Sequence, residues 1–210
     1  MSLYLAKIHY WLYNKIVWFE SLEKEVISWA ENNHLPLEEL YREILVRYDA
    51  PTENKPLEEI IDTSNIHGWL QGKIHSAEGR QAALVTAVLK EKEEYKKDLM
   101  SIFKKQGEKC GVEYREKNCP TSPEDIYNAL NDYILEGMPC DRINIILTSN
   151  ENEISWEGRK CLHAQHWQAV DGSVENFYDL RGEWISAFVA SLSNEFHFQT
   201  LGKSVYSIKR

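Results

Sequence analysis

A chain of 210 residues with 43% hydrophobic and 27% charged content is long enough for a full core and suits one domain or two small ones. Its net charge of −9 and isoelectric point near 5.3 argue against a nucleic-acid-binding surface, which rests on clustered Lys and Arg, and Lys104-Lys105 sits among acids. No run approaches the ~18 apolar residues of a membrane span, and Met1 to Lys7 carry neither a basic n-region nor a cleavage site, so a cytoplasmic protein is expected.

Residues 3–31 show helical spacing of Leu5, Ile8, Leu12, Ile16 and Phe19, and Asn32-Asn33-His34 ends the pattern. Pro36 suits the first turn of a second helix reaching Tyr48, with Leu37, Leu40, Tyr41, Ile44 and Leu45 on one face. Residues 49–63, with Pro51 and Pro56, read as a connector holding at most one helical turn. Ser64 or Asn65 can cap a third helix from Ile66 to about Leu89, and charge-rich helix is expected to continue through Phe103 towards Glu116. The run from Lys90 to Lys97 reads as a solvated helix face.

This helical half contains an internal echo. Residues 7–16 and 65–74 align without a gap and are identical at six of ten positions, with Glu20 and Glu78 falling in register beyond them. His9 and Glu20 are 11 residues apart and so return to nearly the same helix face, as do His67 and Glu78. Two readings follow: a pair of His/Glu helices facing a shared pocket, or a duplication that kept an Ile/Trp/Leu packing face. The second needs less, because a helix-borne metal site adds a ligand three or four residues on, and neither His9 nor His67 has one.

The C-terminal half changes character. Ser122-Pro123-Glu124-Asp125 starts a helix faced by Ile126, Leu130 and Ile134, which Gly137 and Pro139 stop. Arg142–Thr148 reads as a largely buried strand, 149–153 as a turn and 154–161 as a second strand, making a hairpin. A short helix starts near His163 and ends at Asp171-Gly172. Ser173 caps a longer helix carrying Phe177, Leu180, Trp184, Ile185, Phe188, Val189 and Leu192, and residues 196–208 read as a closing hairpin. The expectation is an α+β protein. A helical region (1–118) packs on a small antiparallel sheet with covering helices (119–210), and the two form one compact unit. The long apolar faces of the first and third helices suggest a homodimer.

The chemistry-bearing stretch is Cys161-Leu-His163-Ala-Gln-His166-Trp167. A helix N-terminus carries roughly half a positive charge and favours thiolate over thiol. A cysteine there with imidazole nearby can act as a nucleophile. Cys-x-His-x-x-His could also supply three metal ligands, but the spacing matches no established zinc pattern and no metal is assigned. Free cysteine is equally at home as core. The four cysteines show no CxxC pairing and read as thiols rather than disulfides. Trp156, Trp167 and Trp184 read as core or as the lining of an apolar pocket.

The order of features resembles the L-2-amino-thiazoline-4-carboxylic acid hydrolase-like family over about residues 66–208. The features are Gly107 and Gly111, the Ser-Pro-Glu-Asp helix, the hairpin, Cys161, Trp167, the Gly172 break, Trp184-Ile185 and the closing Phe196/Phe198 strand. This sequence has Cys161-Leu162 where the family tends to have Cys-Pro, and Tyr206-Ser207 where it often has a late cysteine. The resemblance implies hydrolysis of a C–N bond in a small heterocycle or amidine, with Cys161 as nucleophile or orienting group and His163 or His166 as general base. Cys161→Ser should then abolish thiol-dependent turnover. A second possibility is a non-enzymatic small-ligand-binding or sensory domain using Trp167, Trp184 and the histidines. A third is histidine phosphotransfer at an exposed His67. The pocket in either of the first two would bring Cys161, His166 and Trp184 opposite His67 and Glu78, or His9 and Glu20. Its partner would be a small-molecule ligand, and the sequence names no cofactor.

Overall fold

The structure, a computed structural model, describes residues 5–210. Residues 3 and 4 of the expected first helix lie outside the described residues. The protein is α+β, as expected, but it forms two compact units interleaved in sequence. The first holds the chain up to Glu93, Tyr133–Met138 and His163–Ser173; the second holds Glu94–Asp132, Pro139–Leu162 and Val174–Arg210. The division therefore falls near residue 93 and recurs, rather than falling once at 118.

The first unit is built on two 26-residue helices, α1 (Lys7–Asn32) and α4 (Ile66–Glu91). They run parallel. His9 meets His67 with ring centroids 5.5 Å apart, Tyr13 meets Trp69 at 6.5 Å, and Glu20 and Glu23 both meet Arg80. The echo is thus a packing repeat. Leu12, Ile16, Phe19 and Val26 of α1, and Leu70, Ile74, Ala77 and Leu84 of α4, occupy equivalent buried positions at steps of four, three and seven residues. Lys15 lies over Trp11, 4.0 Å from the ring centroid, and Lys73 repeats the contact over Trp69 at 5.6 Å. Most of the apolar faces from which a homodimer was expected are buried within the single chain, with Ile8 left 45% exposed. Asn65 caps α4, its side chain accepting the Gly68 N–H.

Between these helices lie α2 (Glu38–Tyr48), packed on α4, and the single turn α3 (Leu57–Ile60). A buried cluster around Arg80 locks them together. Its Nε donates to Glu23, Nη2 to Glu20 at 2.6 Å, and Nη1 to the Tyr48 and Asp49 carbonyls. Glu23 also accepts the Tyr41 hydroxyl, and Glu20 the Thr52 N–H. Burial, reinforced by the Glu23 hydrogen bond, raises the Tyr41 pKa. One cation between two carboxylates, with other donors satisfying them, makes the burial of three charges tolerable.

The expected continuous helix from 66 to 116 is broken. Lys92 is extended, a 3₁₀ turn spans Glu93–Tyr95, and α5 (Lys96–Asn118) begins afresh in the second unit. Residues 90–94 are exposed and carry no apolar face to hold a helix against anything. α6 (Pro123–Asn131) is also shorter than its pattern, because Ile126 and Leu130 are buried in the second unit while Ile134 is buried in the first.

In the second unit α5 packs on α8 (Val174–Leu192). Gly107 and Gly111 make this close: a Cβ on Gly107 would fall 2.4 Å from the Trp184 carbonyl oxygen, and one on Gly111 2.6 Å from that of Phe188. The strands β1 (Asn144–Ser149), β2 (Glu153–Gly158), β3 (His197–Gly202) and β4 (Val205–Lys209) form one antiparallel sheet in the order β1-β2-β4-β3. β1 is an edge strand with Ile146 and Leu147 exposed and a bulge between Ile146 and Thr148, so its apolar run does not make it buried as expected. Trp156 on β2 gathers Tyr127, Phe198 and Tyr206 around it. α8 contacts β3, and α6 contacts β2 and β4.

Candidate functional site

The short helix α7 (Ala164–Gln168) lies on α4 within the first unit. His163 precedes it and is 1% exposed. Its Nδ1–H donates to Glu78 Oε2 at 2.8 Å, and its Nε2 lies 3.5 Å from Glu136 Oε2. Burial alone would disfavour a charged ring, but the Glu78 charge, supported by Glu136, outweighs it and raises the pKa from 6.5 to about 9. His163 is therefore an imidazolium near neutral pH. It joins α4, the 133–138 segment and the start of α7 through two carboxylates.

His166 sits one turn on, half-buried, with Nε2 3.7 Å from the same Glu78 oxygen. Burial lowers its pKa below 6.5; Glu78 opposes this, while His75 and His163 add to it. Its ring centroid is 5.4 Å from that of His75, whose Nε2 accepts a hydrogen bond from the Gln71 amide at 2.7 Å. The groups run from the exposed His75 through His166 and Glu78 to the buried His163, with the partly exposed Glu136 on its far side. A neutral imidazole beside a fixed carboxylate can accept a proton and have the resulting charge stabilised. Among the described residues no group of three His, Cys, Asp or Glu side chains is arranged to hold a metal ion. A protonated His163 has no lone pair to offer one.

The other expected site residues fall in both units. Cys161 is exposed on the loop between β2 and α7, three residues past the strand and three before the helix. It belongs to the second unit, whereas His163 and His166 belong to the first. The four cysteines form no disulfide. His67 is exposed near the start of α4 against His9, whose Nδ1 accepts the Ala6 N–H. Glu78 lies on the same helix but turns to His163 and His166, so His67 and Glu78 do not share a site. Trp167 and Trp184 are buried in different units, Trp184 stacked on Phe188 with its Nε1–H donated to Gln106.

His75, Gln71 and Glu136 were not among the sequence candidates. His75-x-x-Glu78 and His163-x-x-His166 are both one-turn pairs, a spacing visible in the sequence. Glu136 gave no such signal, since only the return of 133–138 into the first unit brings it in. No described helix is long and apolar enough to cross a membrane. Comparison with protein-family models, with curated proteins and with solved structures finds no match.

Proposed function

We propose that the protein is a small-molecule hydrolase in which His166 is the general base, cleaving a C–N bond in a cyclic amidine. The observation that carries this reading is the half-buried His166 ring held 3.7 Å from the buried Glu78 carboxylate. The bond type comes from the resemblance to the thiazoline-carboxylate hydrolase-like family. His166 takes a proton from water as the water oxygen bonds to the amidine carbon. Glu78 stabilises the imidazolium so formed. That proton then passes to the leaving nitrogen, and the proton of the newly bound hydroxyl follows it as the C–N bond breaks and the C=O bond forms, so both water protons end on the released amine and atoms and charge balance. His163 is a positioning residue: its ring holds the Glu78 carboxylate in place.

The test is ring opening of 2-aminothiazoline-4-carboxylate and simple cyclic amidines, followed chromatographically across pH. Turnover should rise as His166 loses its proton, on a limb below pH 6.5 because its pKa is lowered. His166→Gln should reduce the rate about a hundredfold or more while the protein remains folded. Cys161→Ser should leave it intact, because water is the nucleophile. Absence of turnover in the native chain, or an undiminished rate in His166→Gln, refutes the reading; loss in Cys161→Ser returns the nucleophile to the thiol.

A further inference from the structure

The sequence echo places one histidine at the start of each long helix of the first unit, and the site described above uses neither. His9 is the third residue of α1 and His67 the second of α4. The two helices run parallel, with these rings 5.5 Å apart between centroids. Two helix N-termini, each carrying about half a positive charge, therefore lie side by side.

α1 lacks the usual means of satisfying its N-terminus. Its N-cap is Ala6, which has no side-chain oxygen, and its first turn holds no acidic residue. His9 supplies the missing acceptor. Its Nδ1 takes the Ala6 N–H at 3.0 Å, the part a Gln or Glu plays in a capping box. An imidazole accepts through Nδ1 only while neutral, with its proton on Nε2. Once protonated it has two N–H groups and no lone pair, so the bond to Ala6 is lost and donor faces donor. The same step sets a full positive charge at two positive helix ends beside a second imidazole. α4 does not depend on a ring in this way, because Asn65 caps it.

The charges on the surrounding elements do not offset this. Lys7 of α1 is itself a cation. Glu58 of α3 accepts the Tyr10 hydroxyl, and Asp62, ahead of α4, accepts the Ser64 hydroxyl and N–H. Burial, with His67 adding to it, holds the His9 pKa below 6.5. The Tyr10 to Glu58 bond also fixes how far an opening can spread, since it ties the end of the first turn to α3.

We propose that His9 and His67 form an acid-sensitive latch, in which protonation of His9 releases Ala6 and unwinds the first turn of α1 over residues 6–9. The unwound turn binds the proton more readily than the closed one. The turn is therefore complete above pH 6.5 and is lost as the pH falls below it, the reverse of the dependence of His163.

The experiment is an NMR titration of the full chain from about pH 7.5 to about pH 4.5, which brackets an ordinary imidazole. The helical 13Cα shifts of Lys7, Ile8 and His9 should move towards coil values in step with the His9 ring titration. Exchange protection of the His9 amide, corrected for its intrinsic rate, should fall about tenfold over the same range. Residues 66–69 of α4 should stay helical. His9→Gln keeps an acceptor that does not titrate, so its first turn should hold throughout. His67→Gln removes the neighbouring ring, so the His9 pKa and the opening should both move to higher pH. The proposal is overturned if the first turn of the native chain stays helical throughout, if His9→Gln opens as the native chain does, or if His67→Gln leaves the opening where it was.

Discussion

The buried His163 makes the stability of the first unit depend on pH in an unusual window. Its folded pKa lies at about 9 against 6.5 for an unperturbed ring. Each pKa unit corresponds to roughly 1.4 kcal/mol, so the rise corresponds to about 3 kcal/mol of stability. Because the folded value is the higher one, this contribution is complete below the unfolded pKa and lost as pH rises through the folded one. The native chain should therefore weaken between about pH 6.5 and pH 9, where most small proteins with stabilising carboxylates are already at their plateau. With urea slopes of roughly 1–3 kcal/mol/M, the denaturation midpoint should fall by about 1–3 M over that range. His163→Gln keeps a hydrogen-bonding group but no charge. It should be less stable near pH 6.5, because Glu78 and Glu136 lose their counter-charge, and its midpoint should be nearly flat above that pH. Urea titrations followed by far-UV circular dichroism at several pH values measure both. An NMR titration of the His163 ring protons measures the pKa directly. A flat midpoint in the native chain, or the same fall in His163→Gln, would refute the assignment of His163 as a buried imidazolium.

Arg80→Met should cost about 3–5 kcal/mol, because Glu20 and Glu23 stay buried without their cation. Replacing both glutamates by apolar residues in that background should recover much of the loss, as read by denaturant midpoints. Gly107→Ala should destabilise the second unit by about 1–3 kcal/mol, since the new methyl meets backbone of α8 rather than a movable side chain. Thermal melts with and without the substitution test this, and an unchanged melt would mean that α5 and α8 separate freely. Ser122→Ala should cost about 1 kcal/mol, as the hydroxyl accepts the Asp125 N–H while Asp125 accepts the Ser122 N–H. Amide exchange at residues 123–126 should rise first.

Local rules carried most of the secondary structure. The apolar stripes of α1, α4 and α8, the Ser122-Pro123 start of α6, and the closing hairpin were all legible, because each element buries a face repeating at its own period. The echo was legible as a repeat, and its meaning as parallel packing agrees with the buried equivalents Leu12 and Leu70, Ile16 and Ile74. The break at Lys92 was not legible. No Pro or Gly marks it, and good helix formers cover the join. It exists because the apolar faces on its two sides belong to different units. The same holds for Ile134, which continues the face of α6 in sequence but is buried in the other unit.

The candidate site divides in the same way. His163 and His166 were marked by composition and spacing alone, since imidazoles one turn apart face the same way whatever surrounds them. Glu78 was marked by its helical phase, but paired with the wrong histidine: phase places a side chain on a face and does not say which element covers that face. Glu136 reaches His163 from 27 residues earlier in the chain, and Glu78 from 85 residues earlier. Sequence patterning by itself determined which residues could ionise and on which helix faces they lie. Tertiary structure alone decided which of them meet, and so which imidazole is charged and which is neutral, because a pKa is set by burial and by charges a few ångströms away rather than by neighbours along the chain.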